Sequence, residues 1–144
     1  NLLRSPSNPD PDADEGSHEF TYSLFPHIKD FIHSDVIAES SCLNQKPILF
    51  EGAASQIEMP IQLEGDGLEL SVLKKAEKED ELILRIIETH GRNSNGLLYL
   101  QGALAESDLM EWKQIGEKIQ VDKSLKLDLK PFEIRTFRFS TGAK

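Results

Sequence analysis

Alternating apolar and polar side chains dominate residues 47–144 and predict strands. Leu125, Leu127 and Leu129 are separated by Lys126 and Asp128, so one face of this segment is apolar and the other is charged. Comparable apolar runs are separated by glycine-rich or charged segments that favour turns. The predicted strands are 48–50, 59–63, 68–73, 82–87, 97–100, 118–121, 125–129 and 132–139. Many short strands with almost no helix indicate an all-β fold, an antiparallel β-sandwich.

The last predicted strand changes phase within its length. Phe132 and Ile134 share one face, whereas Phe137 and Phe139 share the other. A β-bulge near residues 135–136 would produce this change, and we predict one there.

Residues 1–46 lack the regular alternation of apolar and polar residues that marks 47–144. Three prolines and four acidic residues within 6–16 exclude helix and central strand, because proline lacks an N–H and favours extended geometry before it. A strand is predicted over 20–25, ended by proline, and a short amphipathic helix over 27–39. Because this region cannot bury its own apolar side chains, we expect it to complete a larger β domain, with the sandwich itself in 47–144.

The acidic composition of the chain disfavours some classes of binding partner. The chain has 144 residues, 38% of them hydrophobic, and a net charge of −9, which argues against a nucleic-acid backbone or an anionic membrane as partner. Cys42 is the single cysteine, so no internal disulfide forms and a reducing compartment fits. The chain begins at Asn1 without a signal segment, so we expect a piece of a longer protein. Homo-oligomerisation stays open.

No known metal or catalytic motif is complete. His18 and Glu19 match the start of a zinc-binding HExxH helix, but Tyr22 stands where the second histidine is needed. The alternate aspartates of 10–14 match an EF-hand loop in part, but Glu15 occupies the glycine position. No metal site is therefore predicted in this chain.

Two glutamates have strand contexts that predict burial. Glu88 follows an apolar run and Glu133 lies inside one. A buried carboxylate needs a charged or hydrogen-bonding partner, and Arg85, Arg135 and Arg138 are the expected ones.

Other polar and aromatic groups favour ordinary structural roles. The charged run over 74–81 predicts an exposed hairpin connection rather than a binding patch. Trp112, Tyr22 and Tyr99 have strand contexts that favour the core, which weakens the alternative of an independent carbohydrate-binding module. A purely structural interface domain is a further alternative.

The acidic loop over 10–19 is the unusual feature of the chain. A proline-stiffened segment rich in carboxylates suits a polar ligand such as a sugar, because carboxylates accept hydrogen bonds from vicinal hydroxyls. A solvated surface loop explains the same residues equally well.

The order of motifs along the chain resembles the C-terminal region of class II α-mannosidases, which are glycoside hydrolase family 38. PFEIRT at 131–136 resembles the closing strand of that family, and HEFTYSL at 18–24 resembles an earlier element. Further resembling segments, in the same order, are 13–16, 43–47, 71–77, 82–91 and 108–111.

The resemblance implies a zinc-dependent enzyme that hydrolyses terminal α-D-mannosides with retention, as in mannose and glycan catabolism. The zinc ligands and the nucleophilic aspartate would belong to an N-terminal catalytic domain of the same chain, absent from these residues. This chain would be a non-catalytic C-terminal region, galactose-mutarotase-like or immunoglobulin-like, that supports the catalytic domain and helps close its pocket.

The resemblance also implies substrate-binding roles for Asp14, Glu15 and His18. Golgi members carry Arg-Gly where this chain has Glu15-Gly16, so the chain resembles the bacterial and cytoplasmic branch more closely. A cytoplasmic enzyme is therefore expected. A mannosylglycerate hydrolase, a close variant of the family, is the alternative.

Overall fold

The computed structural model describes residues 3–45, 47–49, 51–52 and 60–141. The chain divides into two units, Asn1–Val36 and Ile37–Lys144. The predicted boundary after residue 46 falls later than this division, and the idea that the first region completes a larger β domain stays a prediction.

The second unit contains two antiparallel sheets. Its described strands are β1 (Gln62–Glu64), β2 (Leu68–Lys75), β3 (Leu82–Glu88), β4 (Ser94–Tyr99), β5 (Gly102–Ser107), β6 (Gln114–Val121), β7 (Ser124–Leu129) and β8 (Ile134–Ser140). One sheet has the order β1-β4-β7 and the other the order β2-β3-β8-β5-β6. Every pair of neighbouring strands is antiparallel. The predicted antiparallel β-sandwich is confirmed.

The core lies where the two sheets face each other. Leu84 on β3 pairs with Phe137 on β8, and both are buried together with Leu98 of β4 and Leu127 of β7. Full burial of each such side chain contributes roughly 1.5–3 kcal/mol. The alternation in β7 works as predicted, since Leu127 and Leu129 are buried and the charged residues between them face solvent.

One strand was not predicted at all. β5 lies between β8 and β6, and it buries Leu104 and Ala105. Its sequence, GALAES, lacks the β-branched and aromatic residues that mark most strands, so its place in the sheet rather than its propensity decides its structure.

The predicted bulge near 135–136 is wrong. β8 pairs with β3 and with β5 without a register shift, whereas shifts occur between Leu70 and Val72 and between Leu104 and Glu106. Phe132 lies in the turn before β8 with φ of 55°, so the change of phase marks the passage from turn to strand.

The predicted elements of the first region also differ from the structure. The described residues 20–25 form no strand, and helix α1 spans Val36–Asn44 instead of 27–39. The apolar side chains before it, such as Ile28 and Phe31, are exposed. An amphipathic helix needs a surface for its apolar face, and these residues have none here. Helix α1 begins just after Ser34, whose hydroxyl accepts the N–H of Val36, the first helical residue, at 3.4 Å.

The first two predicted strands lie partly outside the described residues. The predicted strand over 48–50 is irregular at residues 48–49, and residue 50 lies outside the described residues, as does residue 59. Among the described helical residues, none belongs to a helix long and apolar enough to cross a membrane.

Candidate functional site

The acidic loop is shaped by hydrogen bonds between neighbouring residues. The Asp10 carboxylate accepts the Asp12 N–H at 3.1 Å, and the Asp12 carbonyl accepts the Glu15 N–H at 3.2 Å. These short-range bonds wind 10–15 into consecutive turns, which the prolines around them favour.

The loop brings two of the three expected site residues together. The Asp14 carboxylate accepts the Ser5 N–H at 2.9 Å, and the Nε2 atom of His18 lies 3.0 Å from the Asp14 carbonyl oxygen. The His18 ring also stacks on Phe20, with 6.2 Å between ring centroids. Asp14 and His18 therefore hold the loop in shape.

Glu15 is the third expected residue, and the structure places it differently. It is exposed, and its carboxylate has no hydrogen-bond partner among the described residues. Gly16, with φ of 120° and open space around it, turns the chain immediately afterwards. Of the three expected residues, Glu15 is the one whose side chain makes no hydrogen bond within the described part of the chain.

A second candidate surface is a cleft of about 380 Å³ in the sandwich unit. It lies on the face of the five-stranded sheet that points away from the core, because Arg85 and Arg138 alternate with core residues along their strands. The β2–β3 hairpin forms one wall. The predicted exposed hairpin connection over 74–81 is confirmed, since residues 77–80 are exposed.

An ion-pair network lines the cleft and continues beyond it to Glu81 and Lys118. Arg85 Nη2 lies 2.8 Å from Glu111 Oε1, and Lys74 Nζ lies 2.9 Å from Glu111 Oε2. Arg138 and Lys118 share Glu81, at 2.7 and 2.9 Å. The hydrogen bond from Lys118, followed by that from Arg138, outweighs desolvation and holds the pKa of Glu81 below its usual value.

The turn between β5 and β6 forms the other wall of the cleft. The Asp108 carboxylate accepts the N–H groups of Trp112 and Lys113, at 2.8 and 3.1 Å. These bonds, with that from Lys113 the largest influence, lower the pKa of Asp108. Trp112 is 67% exposed, and Lys78 Nζ lies 5.2 Å from the centroid of its ring. The expectation that Trp112 belongs to the core is wrong.

Glu88 is buried as predicted, with 3% exposure, but among the described residues no arginine side chain pairs with it. Its carboxylate accepts backbone N–H groups from His90, Gly91, Arg92 and Phe132, and the Ser94 hydroxyl. Burial by itself raises the pKa of Glu88, and these donors outweigh that effect, so its pKa lies below the usual value. This carboxylate ties the β3–β4 turn to the turn before β8.

The predicted arginine partnerships are therefore corrected. Arg85 pairs with Glu111, and Arg138 pairs with Glu81. Arg135 donates to Glu106 through Nε at 2.9 Å and Nη2 at 2.6 Å, while Glu133 accepts the Lys130 N–H instead. These pairs depend on which strands and turns the folded sheet brings together, which sequence alone does not reveal.

Metal-binding groups are scattered over the described part of the chain. No group of three or more His, Cys, Asp or Glu residues there could hold a metal ion. His18 approaches a carbonyl oxygen instead of a carboxylate. The described residues do not fit a zinc site.

Comparisons with known proteins agree with this architecture. The family description "Glycosyl hydrolases family 38 C-terminal beta sandwich domain" matches residues 67–137. That range runs from just before β2 into β8, so it covers most of the two sheets. The chain contains the C-terminal β-sandwich domain of glycosyl hydrolase family 38.

Several alpha-mannosidases match nearly the whole chain. Alpha-mannosidase 2C1 of Homo sapiens is 34% identical over 92% of this chain, and alpha-mannosidase G of Dictyostelium discoideum is 31% identical over 96%. The alpha-mannosidase of Saccharomyces cerevisiae is 28% identical over 95%. The chain spans only 14% of the length of the first two relatives. The family resemblance read from the sequence is confirmed, and its bacterial or cytoplasmic branch stays a prediction.

Proposed function

We propose that this chain is the non-catalytic C-terminal domain of a retaining α-mannosidase that hydrolyses terminal α-D-mannose residues. One observation carries the proposal: relatives that match the chain almost end to end are α-mannosidases, and the match covers only 14% of the first two. The reacting groups then lie in the remaining part of the parent enzyme.

The proposed parent is zinc-dependent, on the family resemblance alone. The described residues of this chain do not fit a zinc site, so no step of the reaction is assigned to zinc here. We place the parent in the cytoplasm, because an exposed, unpaired Cys42 suits a reducing compartment.

The proposed contribution of this chain to the pocket is Glu15. Asp14 and His18 are engaged within the loop, at the Ser5 N–H and the Asp14 carbonyl oxygen. The Glu15 carboxylate is exposed, and an ionised carboxylate accepts hydrogen bonds from two adjacent sugar hydroxyls. Asp14 and His18 would act by holding Glu15 in position, so they are positioning residues.

The proposed activity is tested with the full-length parent and with this chain alone. We expect the parent to release the aryl group from an aryl α-mannoside and the isolated chain to release none. Turnover by the isolated chain would overturn its non-catalytic role. A parent that is inactive on α-mannosides but active on mannosylglycerate would favour the alternative substrate.

The role of Glu15 is tested by Glu15→Gln in the parent. An amide keeps the size but lacks the charge that strengthens hydrogen bonds, so we expect kcat/KM for the aryl mannoside to fall about tenfold. Glu117→Gln, the same change at an exposed position on β6, serves as the control. Equal kinetics for both variants, with both folded, would show that the loop is a solvated surface segment.

A further inference from the structure

The turn between β5 and β6 exposes three large apolar side chains within four residues. Leu109, Met110 and Trp112 all face solvent in this chain. Tryptophan and methionine are enriched in protein interfaces, and a cluster of such residues on a surface turn marks an interaction site.

Hydrogen bonds and ion pairs from β2 and β3 hold the turn that carries these residues. Arg85 donates to the Leu109 carbonyl at 3.1 Å and to the Glu111 carboxylate at 2.8 Å, and Lys74 adds a second ion pair. Glu111 has φ of 65°, which is uncommon for a residue other than glycine. Its two cationic partners keep it in this conformation, so the turn is preorganised and loses little conformational entropy on binding.

The charged side chains around the turn are already engaged in contacts within the chain. Glu111 forms ion pairs with both Arg85 and Lys74, and Glu81 forms one with Arg138. Lys78 lies over the Trp112 ring. Because these cations are held by contacts within the chain while the three apolar side chains of the turn stay exposed, the turn favours a protein surface over a charged small molecule.

We propose that the Leu109–Trp112 turn docks on an apolar depression of the parent polypeptide outside residues 1–144. The inference rests on the proposed function, which makes this chain part of a larger enzyme. The first two relatives are about seven times as long as the segment that this chain matches, since it spans 14% of their length. A covalently attached surface is also present at high effective concentration, so it outcompetes any free partner for this turn.

The direct test is hydroxyl-radical footprinting of Trp112 and Met110 in the isolated chain and in the full-length parent. We expect both side chains to react strongly in the isolated chain and about tenfold more slowly in the parent, because docking removes them from water. Equal reaction in the two contexts would overturn the proposal.

Two substitutions at one position separate docking from general stability. Trp112→Ser should lower the thermal unfolding midpoint of the parent by several degrees, and Trp112→Phe should retain most of it. In the isolated chain both variants should unfold within about 1 °C of the unsubstituted chain, because Trp112 is already exposed there. An equal shift in both contexts would contradict docking.

Other occupants give distinct results that would also overturn the proposal. If mannose oligosaccharides bind the isolated chain and Trp112→Ser abolishes binding, the turn is a sugar platform. If the isolated chain sediments as a dimer that Trp112→Ser dissociates, the occupant is a second copy. Turnover of the aryl α-mannoside is recorded separately, so a failed proposal on function and a failed proposal on docking are distinguishable.

Discussion

The two units of this chain differ most in what they bury. Among the described residues of the sandwich unit, thirteen hydrophobic side chains are buried, and most of them form one continuous cluster between the sheets. In the Asn1–Val36 unit, no described residue is buried, and Tyr22, Leu24 and Ile28 are largely exposed. Similar apolar residues thus have opposite surroundings in one polypeptide.

The difference shows what alternation needs in order to produce a strand. Leu125, Leu127 and Leu129 form a strand because a neighbouring strand and an opposing sheet receive them. Phe20, Tyr22 and Leu24 have the same spacing and form none among the described residues. The hydrophobic gain offsets the conformational entropy of ordering only when the apolar face is covered.

The largest expected effect comes from a matched pair of truncations. Phe139 is 1% exposed in the core, and Leu24 is 90% exposed. Phe139→Ala should reduce the free energy of unfolding by about 3–5 kcal/mol, because it removes buried surface and leaves a cavity. Leu24→Ala should change it by less than about 0.5 kcal/mol. Urea unfolding of the isolated chain measures both, and comparable losses would contradict the contrast between the units.

The next effect concerns the buried carboxylate of Glu88. Glu88→Gln replaces an acceptor oxygen with an NH₂ group that faces N–H donors, so we expect a loss of about 2–3 kcal/mol. The lowered pKa of Glu88 means that its stabilisation is complete above the unfolded-state pKa of roughly 4.3 and is lost as pH falls through the native value.

The pH dependence supplies the check on this explanation. The difference in unfolding free energy between the unsubstituted chain and Glu88→Gln should be constant at neutral pH and should shrink below about pH 4.3. Urea titrations at several pH values measure it. A difference that does not change on acidification would mean that the Glu88 charge does not stabilise the two turns.

The smallest effect contrasts two glycines. A Cβ on Gly96 would collide with the Glu64 carbonyl of β1 and with Leu68, so Gly96→Ala should cost about 1–2 kcal/mol. Gly16 has open space around it and φ of 120°. Gly16→Ala strains only the acidic loop, so the urea midpoint of the sandwich should not move. A midpoint lowered equally by both would mean that the two units unfold together.

The sequence predicted the sandwich well where burial is one-sided. Period-two alternation identified β7, because its charged residues face water and its leucines face the core. β5 was not predicted because Ala and Gly carry no such signal, although the strand lies inside the sheet with a neighbour on each side. The prediction that Trp112 belongs to the core failed because the hydrogen bonds by which Asp108 anchors this turn cannot be read from residue types alone.

For the site residues, too, local features were predictable from sequence and long-range contacts were not. The acidic loop was recognisable from its prolines and carboxylates. The sequence did not reveal which carboxylate of the loop is free of hydrogen bonds to other described residues, because the bond from the Ser5 N–H to Asp14 joins residues nine positions apart. The Arg85–Glu111 pair spans 26 positions and depends on the order of strands in the sheet. Contacts of this kind are set by topology.

We propose that the sandwich buries its core within this chain, whereas the Asn1–Val36 unit needs the rest of a longer enzyme to cover its apolar side chains. Amide hydrogen exchange, measured on the isolated chain and on the full-length parent, tests it most directly. We predict strong protection of β3 and β8 in both, and protection of residues 3–36 in the parent only. Strong protection of 3–36 in the isolated chain, or none in the parent, would contradict the claim.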